Sequence, residues 1–206
     1  MKKLFAILII ISFSFSAISQ DDDFQTIFGD DFKISGFGGP NMSFTSINGN
    51  FADLMGGGGA VLLNDMLFFG GGGMGVTTNI DVNQNDQQLM DDLGVNNLQG
   101  YNMTFGYGGL WTGYIHRGKN AIHPVVHCQF GWGGIEIEDQ NGINKGNDDR
   151  VFVINPVIEL EANITRFFRF AIGGNYRVVQ DVDLGSYENK DFSGPGAFIT
   201  FKFGWF

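Results

Sequence analysis

Much of what commonly stabilises or drives a protein of this size is missing from this chain. Its 206 residues include a single cysteine, Cys128, so no intrachain disulfide can form and oxidative stapling is excluded as a source of stability. Lysine and arginine number 12 against 22 acids, a formal net charge of −10, which argues against nucleic acid as a partner. The glycine runs lack the Gly-Lys-Ser/Thr ending of a phosphate-binding loop, and neither Asp181-Val182-Asp183-Leu184-Gly185 nor Asp139-Gln140-Asn141-Gly142 completes an EF-hand spacing. Proline is scarce, at 4 residues, and no segment has the ~20 continuous apolar residues of a membrane-spanning helix.

The N-terminus carries Lys2 and Lys3, an apolar run from Leu4 to Phe15 and the small-residue site Ala17-Ile18-Ser19, the pattern of a secretory signal peptide over residues 1–19. No cysteine follows that site, so no lipid anchor is expected there. Glycine (32 residues) and phenylalanine (22) are abundant, in a chain that is 43% hydrophobic with a mean hydropathy of +0.01.

Alternation with period 2 gives eight candidate strands: Phe32–Thr45, Phe51–Leu63, Met66–Thr78, Tyr101–His116, Ala121–Ile137, Val151–Ala162, Phe167–Val179 and Ala197–Phe206. Most reach the roughly 9–11 residues with which a tilted strand crosses a bilayer. Tight turns at Asn64-Asp65, Arg117–Asn120 and Asn163–Arg166 alternate with a short link at Asn48–Asn50 and with three long polar segments, Ile80–Gly100, Glu138–Arg150 and Gln180–Gly196. The acid is concentrated there, with net charges of −4 over 80–100, −4 over 136–149 and −3 over 180–191. Solvated loops account for that charge, and divalent-cation binding is the sharper reading.

In the sixth strand Phe152, Ile154, Pro156, Ile158 and Leu160 share one face, and Asn155, Glu159 and Glu161 the other. The seventh sets Phe168, Phe170, Ile172, Tyr176 and Val178 against Arg169, Asn175 and Arg177, and the fifth sets Val126, Cys128, Phe130 and Trp132 against His123, His127 and Gln129. Alternation alone fits an apolar interior as well as an apolar exterior. Continuous Phe, Trp and Ile stripes on neighbouring strands favour an apolar exterior facing lipid. Counting outward from the Asn163–Arg166 turn sets Glu161 opposite Arg169 and Asn155 opposite Asn175. Arg169 then lies near Lys202 and His127 near Glu159 or Glu161, so the interior is expected to hold a polar network of Glu159, Glu161, Arg169, Lys202, His127, Asn155 and Asn175, with Lys33 joining at one end. Buried charges require such partners.

A two-residue turn at Asn64-Asp65 would set Gly56, Gly57, Gly58 and Gly59 opposite Gly73, Gly72, Gly71 and Gly70, flanked by Gly36, Gly38 and Gly39 and by Gly106, Gly108 and Gly109. Bare wall weakens strands, so something compensates. The candidates are room for large rings such as Tyr107, Trp111 and Tyr114, an interior pocket for a small apolar molecule, and a belt against which another membrane protein or a lipid docks.

In the last strand Ala197, Ile199, Phe201, Phe203 and Trp205 alternate with Phe198, Thr200, Lys202, Gly204 and Phe206. That strand resembles the closing strand of outer-membrane β-barrels. With the strand count, loop alternation and signal peptide, the mature chain resembles the eight-stranded outer-membrane protein A/X/W type of Gram-negative barrel. The resemblance implies an all-β fold, an antiparallel up-and-down meander over residues 32–206 after a short periplasmic segment at 20–31, with tight turns in the periplasm and long loops outside. It implies outer-membrane lipid and the barrel-insertion machinery as partners, the latter reading Phe201, Phe203, Trp205 and Phe206. One departure is that Phe206 falls in the register of Thr200, Lys202 and Gly204 rather than on the aromatic stripe.

His116, His123 and His127 lie toward the turn end, and no serine shares their face at short spacing, which leaves no activated nucleophile. His123 and His127 are about 13 Å apart along a strand, too far to chelate one metal. No cofactor and no metal are expected. The expected function is a non-enzymatic surface scaffold with a side-chain-plugged lumen and acidic external loops. The alternatives are a narrow channel or carrier for small solutes, apolar ones included, and a subunit of a larger envelope complex docked to an envelope protein through the glycine belt.

Overall fold

The computed structural model describes residues 32–139, 143 and 149–206. The signal-peptide reading at 1–19, the leading segment at 20–31 and the Gln140–Gly142 part of one acidic cluster lie outside the described residues. Residues Lys33–Phe206 form one compact unit.

Among the described residues nine strands follow in chain order: β1 (Ile34–Ile47), β2 (Asn50–Leu63), β3 (Leu67–Val76), a two-residue β4 (Ile80–Asp81), β5 (Asn102–Ile115), β6 (Ile122–Glu138), β7 (Asp149–Asn163), β8 (Phe168–Gln180) and β9 (Gly194–Trp205). All pairings are antiparallel. β1 pairs with β9 and β3 with β5, so the eight long strands close into a barrel while β4 adds to one end of β5. Closure removes the unpaired edges that an open sheet would present. Among the described residues two short helices, α1 (Gln87–Leu93) and α2 (Asn189–Phe192), lie in the longer connections. Among the described residues no helix is long and apolar enough to cross a membrane, which says nothing of a β-barrel.

The alternation decides which side of each strand is wet. On β7, Phe152, Ile154, Ile158 and Leu160 point outward, and on the neighbouring strands so do Trp132, Ile172, Tyr176 and Trp205. The connections fall into two sets, one at each end of the barrel. At one end β1 and β2 join through Asn48 (φ 48°) and Gly49 (φ 75°), a two-residue hairpin whose positive φ values suit asparagine and glycine. The long segments leave from this loop end. At the turn end the connections are short.

One turn corrects the expected glycine register. Leu63 pairs with Leu67 rather than Met66, because Asn64 (φ 52°) and Asp65 (φ 56°) both take the left-handed conformation and Met66 closes a three-residue turn, its N–H donating to the Leu63 carbonyl at 3.0 Å. Gly57, Gly58 and Gly59 therefore face Gly73, Gly72 and Gly71, while Gly56 faces Met74 and Gly70 faces Ala60.

Candidate functional site

The barrel interior is layered along its axis. Nearest the turn end, Glu161 of β7 is fully buried and accepts from Arg169 Nη1 at 3.0 Å, His123 Nε2 at 2.9 Å and Lys202 Nζ. β6, β8 and β9 deliver these groups because every second residue of each strand points inward. The Lys202 ammonium also lies 5.3 Å and 5.5 Å from the ring centroids of Phe37 and Phe68, and the Arg169 guanidinium lies 3.7 Å over the ring of Phe206. Nδ1 of His123 is 3.0 Å from the Asn120 carbonyl oxygen. Each buried charge thus has an opposite charge or a ring face, without which its desolvation would be prohibitive.

One pleat deeper, Glu159 accepts from Thr200 Oγ1 at 2.5 Å and from His127 Nε2 at 3.1 Å, while Trp111 Nε1 donates to His127 Nδ1 at 3.1 Å. An indole N–H can only donate, so Nδ1 of His127 is an acceptor and the ring proton sits on Nε2, pointed at Glu159. The next layer is uncharged. Ser43 Oγ donates to Asn175 Oδ1 (3.2 Å), Asn175 Nδ2 to Asn155 Oδ1 (2.8 Å), and Asn155 Nδ2 to the Tyr107 hydroxyl (3.1 Å) and Gln129 Oε1 (3.2 Å).

Toward the loop end the interior becomes apolar. Leu54, Met74, Phe105, Val151, Val153 and Phe198 of the barrel pack with Leu89, Leu98, Leu184 and Phe192 of the connections. α2 buries Phe192 against Phe105 and Tyr187, ring centroids 5.7 Å and 6.1 Å away, and the Arg177 Nε donates to the Phe192 carbonyl at 2.8 Å. α1 is capped by Asp86, whose side chain accepts from Leu89 N at 3.0 Å and also from Ser186 N (3.0 Å) and Ser186 Oγ (2.8 Å). One carboxylate therefore caps a helix and clasps two loops together. Burial pushes its pKa up, but the donors from Ser186 and Leu89 outweigh burial and hold it below the ordinary 3.8.

The structure brings Glu161, Arg169 and Lys202 into one contact group, Glu159 and His127 into a second, and Asn155 with Asn175 into a third, but two expected pairings are wrong. Glu161 lies opposite Ala171 and Arg169 opposite Asn163, while Asn175 lies opposite Val157, so Arg169 and Asn175 reach Glu161 and Asn155 diagonally. The cause is the β7–β8 turn, where Thr165 Oγ1 accepts from Phe167 N and Phe168 N at 3.1 Å and 2.9 Å and delays the start of β8. Lys33 does not join the network; it pairs with Asp65 at 2.8 Å. The expected polar network left out Thr200, Trp111, Ser43 and Tyr107, uncharged residues whose only signal for it was their place on the inward face. Sequence reasoning also missed the apolar layer, because Val151-Phe152-Val153-Ile154 is apolar on both faces and shows no alternation.

The glycines divide into two groups. Inward ones receive rings: a Cβ on Gly58 would lie 3.0 Å from Trp111 Cε3, and one on Gly113 would lie 2.5 Å from His127 Cβ and 2.6 Å from Phe68 Cζ. Several outward ones have ordinary room, with nearest contacts of 3.4 Å at Gly59, Gly71 and Gly108. On β9, Phe201, Phe203 and Trp205 point outward, whereas the ring of Phe206 stacks on Phe37 at 5.9 Å under Arg169, which accounts for its departure from the stripe. Among the described residues no three His, Cys, Asp or Glu side chains are grouped so as to hold a metal ion.

The same closed arrangement of eight antiparallel strands occurs in small outer-membrane β-barrels, and that is the fold of this chain. Neisserial surface protein A superposes with a TM-score of 0.56 over 83% of this chain and 96% of its own, at 8% identity. Ail, the attachment invasion locus protein of Yersinia pestis, solved with the heparin analogue sucrose octasulfate, covers the same shares at 11% identity and a TM-score of 0.46. No protein-family model and no curated protein sequence matches the chain.

Proposed function

We propose that this chain is a non-enzymatic surface protein of a Gram-negative outer membrane, a barrel whose lumen is plugged by its own side chains and whose acidic loops face the exterior. The observation that carries the reading is Glu161, fully buried and held by Arg169, Lys202 and His123 from three other strands. An ion crossing that layer would have to displace a charge from a partner in a low-dielectric interior, which is strongly unfavourable. Eight strands enclose an interior that side chains can fill. The apolar layer under α1 and α2 adds a second obstruction, one that hydrated ions do not wet.

The histidine chemistry supports the non-enzymatic part. His123 and His127 are spent on Glu161 and Glu159, and among the described residues no hydroxyl or thiol donates to either ring. A base with no nucleophile in reach activates nothing. Planar-bilayer recording on the purified barrel tests the plug: no unitary openings are expected at moderate voltage, and reproducible openings from the unmodified protein would overturn it.

A further inference from the structure

The cationic groups of the barrel interior and rim are distributed unevenly along its axis. Whereas the loop end is acidic, a cavity of about 740 Å³ at the turn end is lined by Lys33, Lys119, Arg166 and Arg169. Against them stands the side-chain carboxylate of Asp65, already paired with Lys33 at 2.8 Å, so cation remains in excess among the lining side chains. Arg169 forms the floor, only 4% exposed, its guanidinium fixed between Glu161 and the Phe206 ring. Lys119 and Arg166 stand at the rim, exposed, and no carboxylate among the described residues pairs with either. In a chain with 22 acids, two such cations at the rim of one cavity are not explained by folding.

We propose that this mouth is a binding site for a water-borne, phosphate-bearing solute. The cations come from separate positions around the ring, the start of β1, the β5–β6 turn, the β7–β8 turn and β8 itself. A tetrahedral phosphate offers oxygens in several directions to such convergent donors, whereas a planar carboxylate offers two in one plane. The guanidinium fork of Arg166 and the point charge of Lys119 suit that ligand. The cavity is bordered by the turns that carry Asp65, Lys119 and Arg166 and reaches in to the inward-facing Arg169, so a lipid headgroup would have to draw its acyl chains over the rim to enter. The volume is that of a small-molecule site rather than of a bare ion.

Isothermal titration of inorganic phosphate into the full barrel, held in nanodiscs of zwitterionic lipid at low salt, tests this. Saturable binding is expected, weakened at least ~10-fold by the double change Lys119→Gln and Arg166→Gln and by raised ionic strength, with acetate binding much more weakly. Both positions are exposed turn residues, so folding should survive the change. Arg150→Gln, at the opposite end, should leave binding unchanged. The proposal is overturned if phosphate does not saturate, if Arg150→Gln weakens it equally, or if acetate matches it. It is also overturned if only phosphatidylglycerol in the nanodisc changes the behaviour of the double variant, since the ligand is then a headgroup.

Discussion

The two halves of the barrel wall solve one packing problem in opposite ways. β6 to β9 project His123, His127, Glu159, Glu161, Arg169 and Lys202 inward, while β1, β2, β3 and β5 contribute inward glycines at Gly39, Gly56, Gly58, Gly70, Gly72, Gly109 and Gly113. Those strands also project Phe37, Phe68, Tyr107 and Trp111 inward, and the glycines between these rings leave the narrow interior room for both sets of large side chains. The bare half makes way for them and for the rings of Trp111 and Phe68, which lie across Gly58 and Gly113. Glycine on the inner surface is thus the counterpart of charge on the opposite strands, and the two should fail together.

The largest expected effect breaks the charged half. Glu161→Ala leaves Arg169 and Lys202 buried without their carboxylate, and urea titration of folding into lipid vesicles should record a loss of about 3–5 kcal/mol. A loss under ~1 kcal/mol would mean that water enters this layer and screens it. Next, on the bare half, Gly113→Val should cost about 1–3 kcal/mol by overpacking against Phe68 and His127, while Gly71→Ala on the outer surface should be neutral or stabilise by up to ~1 kcal/mol. If both glycine changes cost the same, inner and outer glycines serve one purpose and the contrast collapses.

The smallest effect leaves both halves untouched. Asp86→Ala should cost about 1 kcal/mol and show itself as faster amide exchange at Leu89 and Ser186, with the strands unaffected. Because Asp86 has its folded pKa depressed below 3.8, its stabilisation is fully present above that value and is lost as pH falls through the folded pKa. The protection of the clasp amides relative to their intrinsic exchange rates should therefore be constant from pH 5 to 7 and fall only in stronger acid. Loosening near pH 6 would assign the clasp to some other group.

The strand count, the closed meander and the outward stripe of β7 were legible because period 2 is written plainly where one face is polar. Register was not. Asn64-Asp65 reads identically as the centre of a two-residue turn or as two-thirds of a three-residue one, and the single added residue moved every glycine partner by one. At Thr165 a side chain reaching two backbone amides displaced the β7–β8 pairing by two. Arg169 and Glu161 still meet, since a long side chain reaches diagonally what the register denies it directly. The apolar layer was hidden for the opposite reason. A strand apolar on both faces carries no alternation, and Phe192 sits in a sequence of acids that gave no hint of burial.

The clasp between Asp86 and Ser186 joins residues 100 positions apart in the chain. Any molecule that binds the loop end meets a topography assembled from two connections at once. A synthetic peptide copied from either loop would carry the sequence without the shape, so antisera raised against such peptides should recognise denatured protein far better than folded barrel.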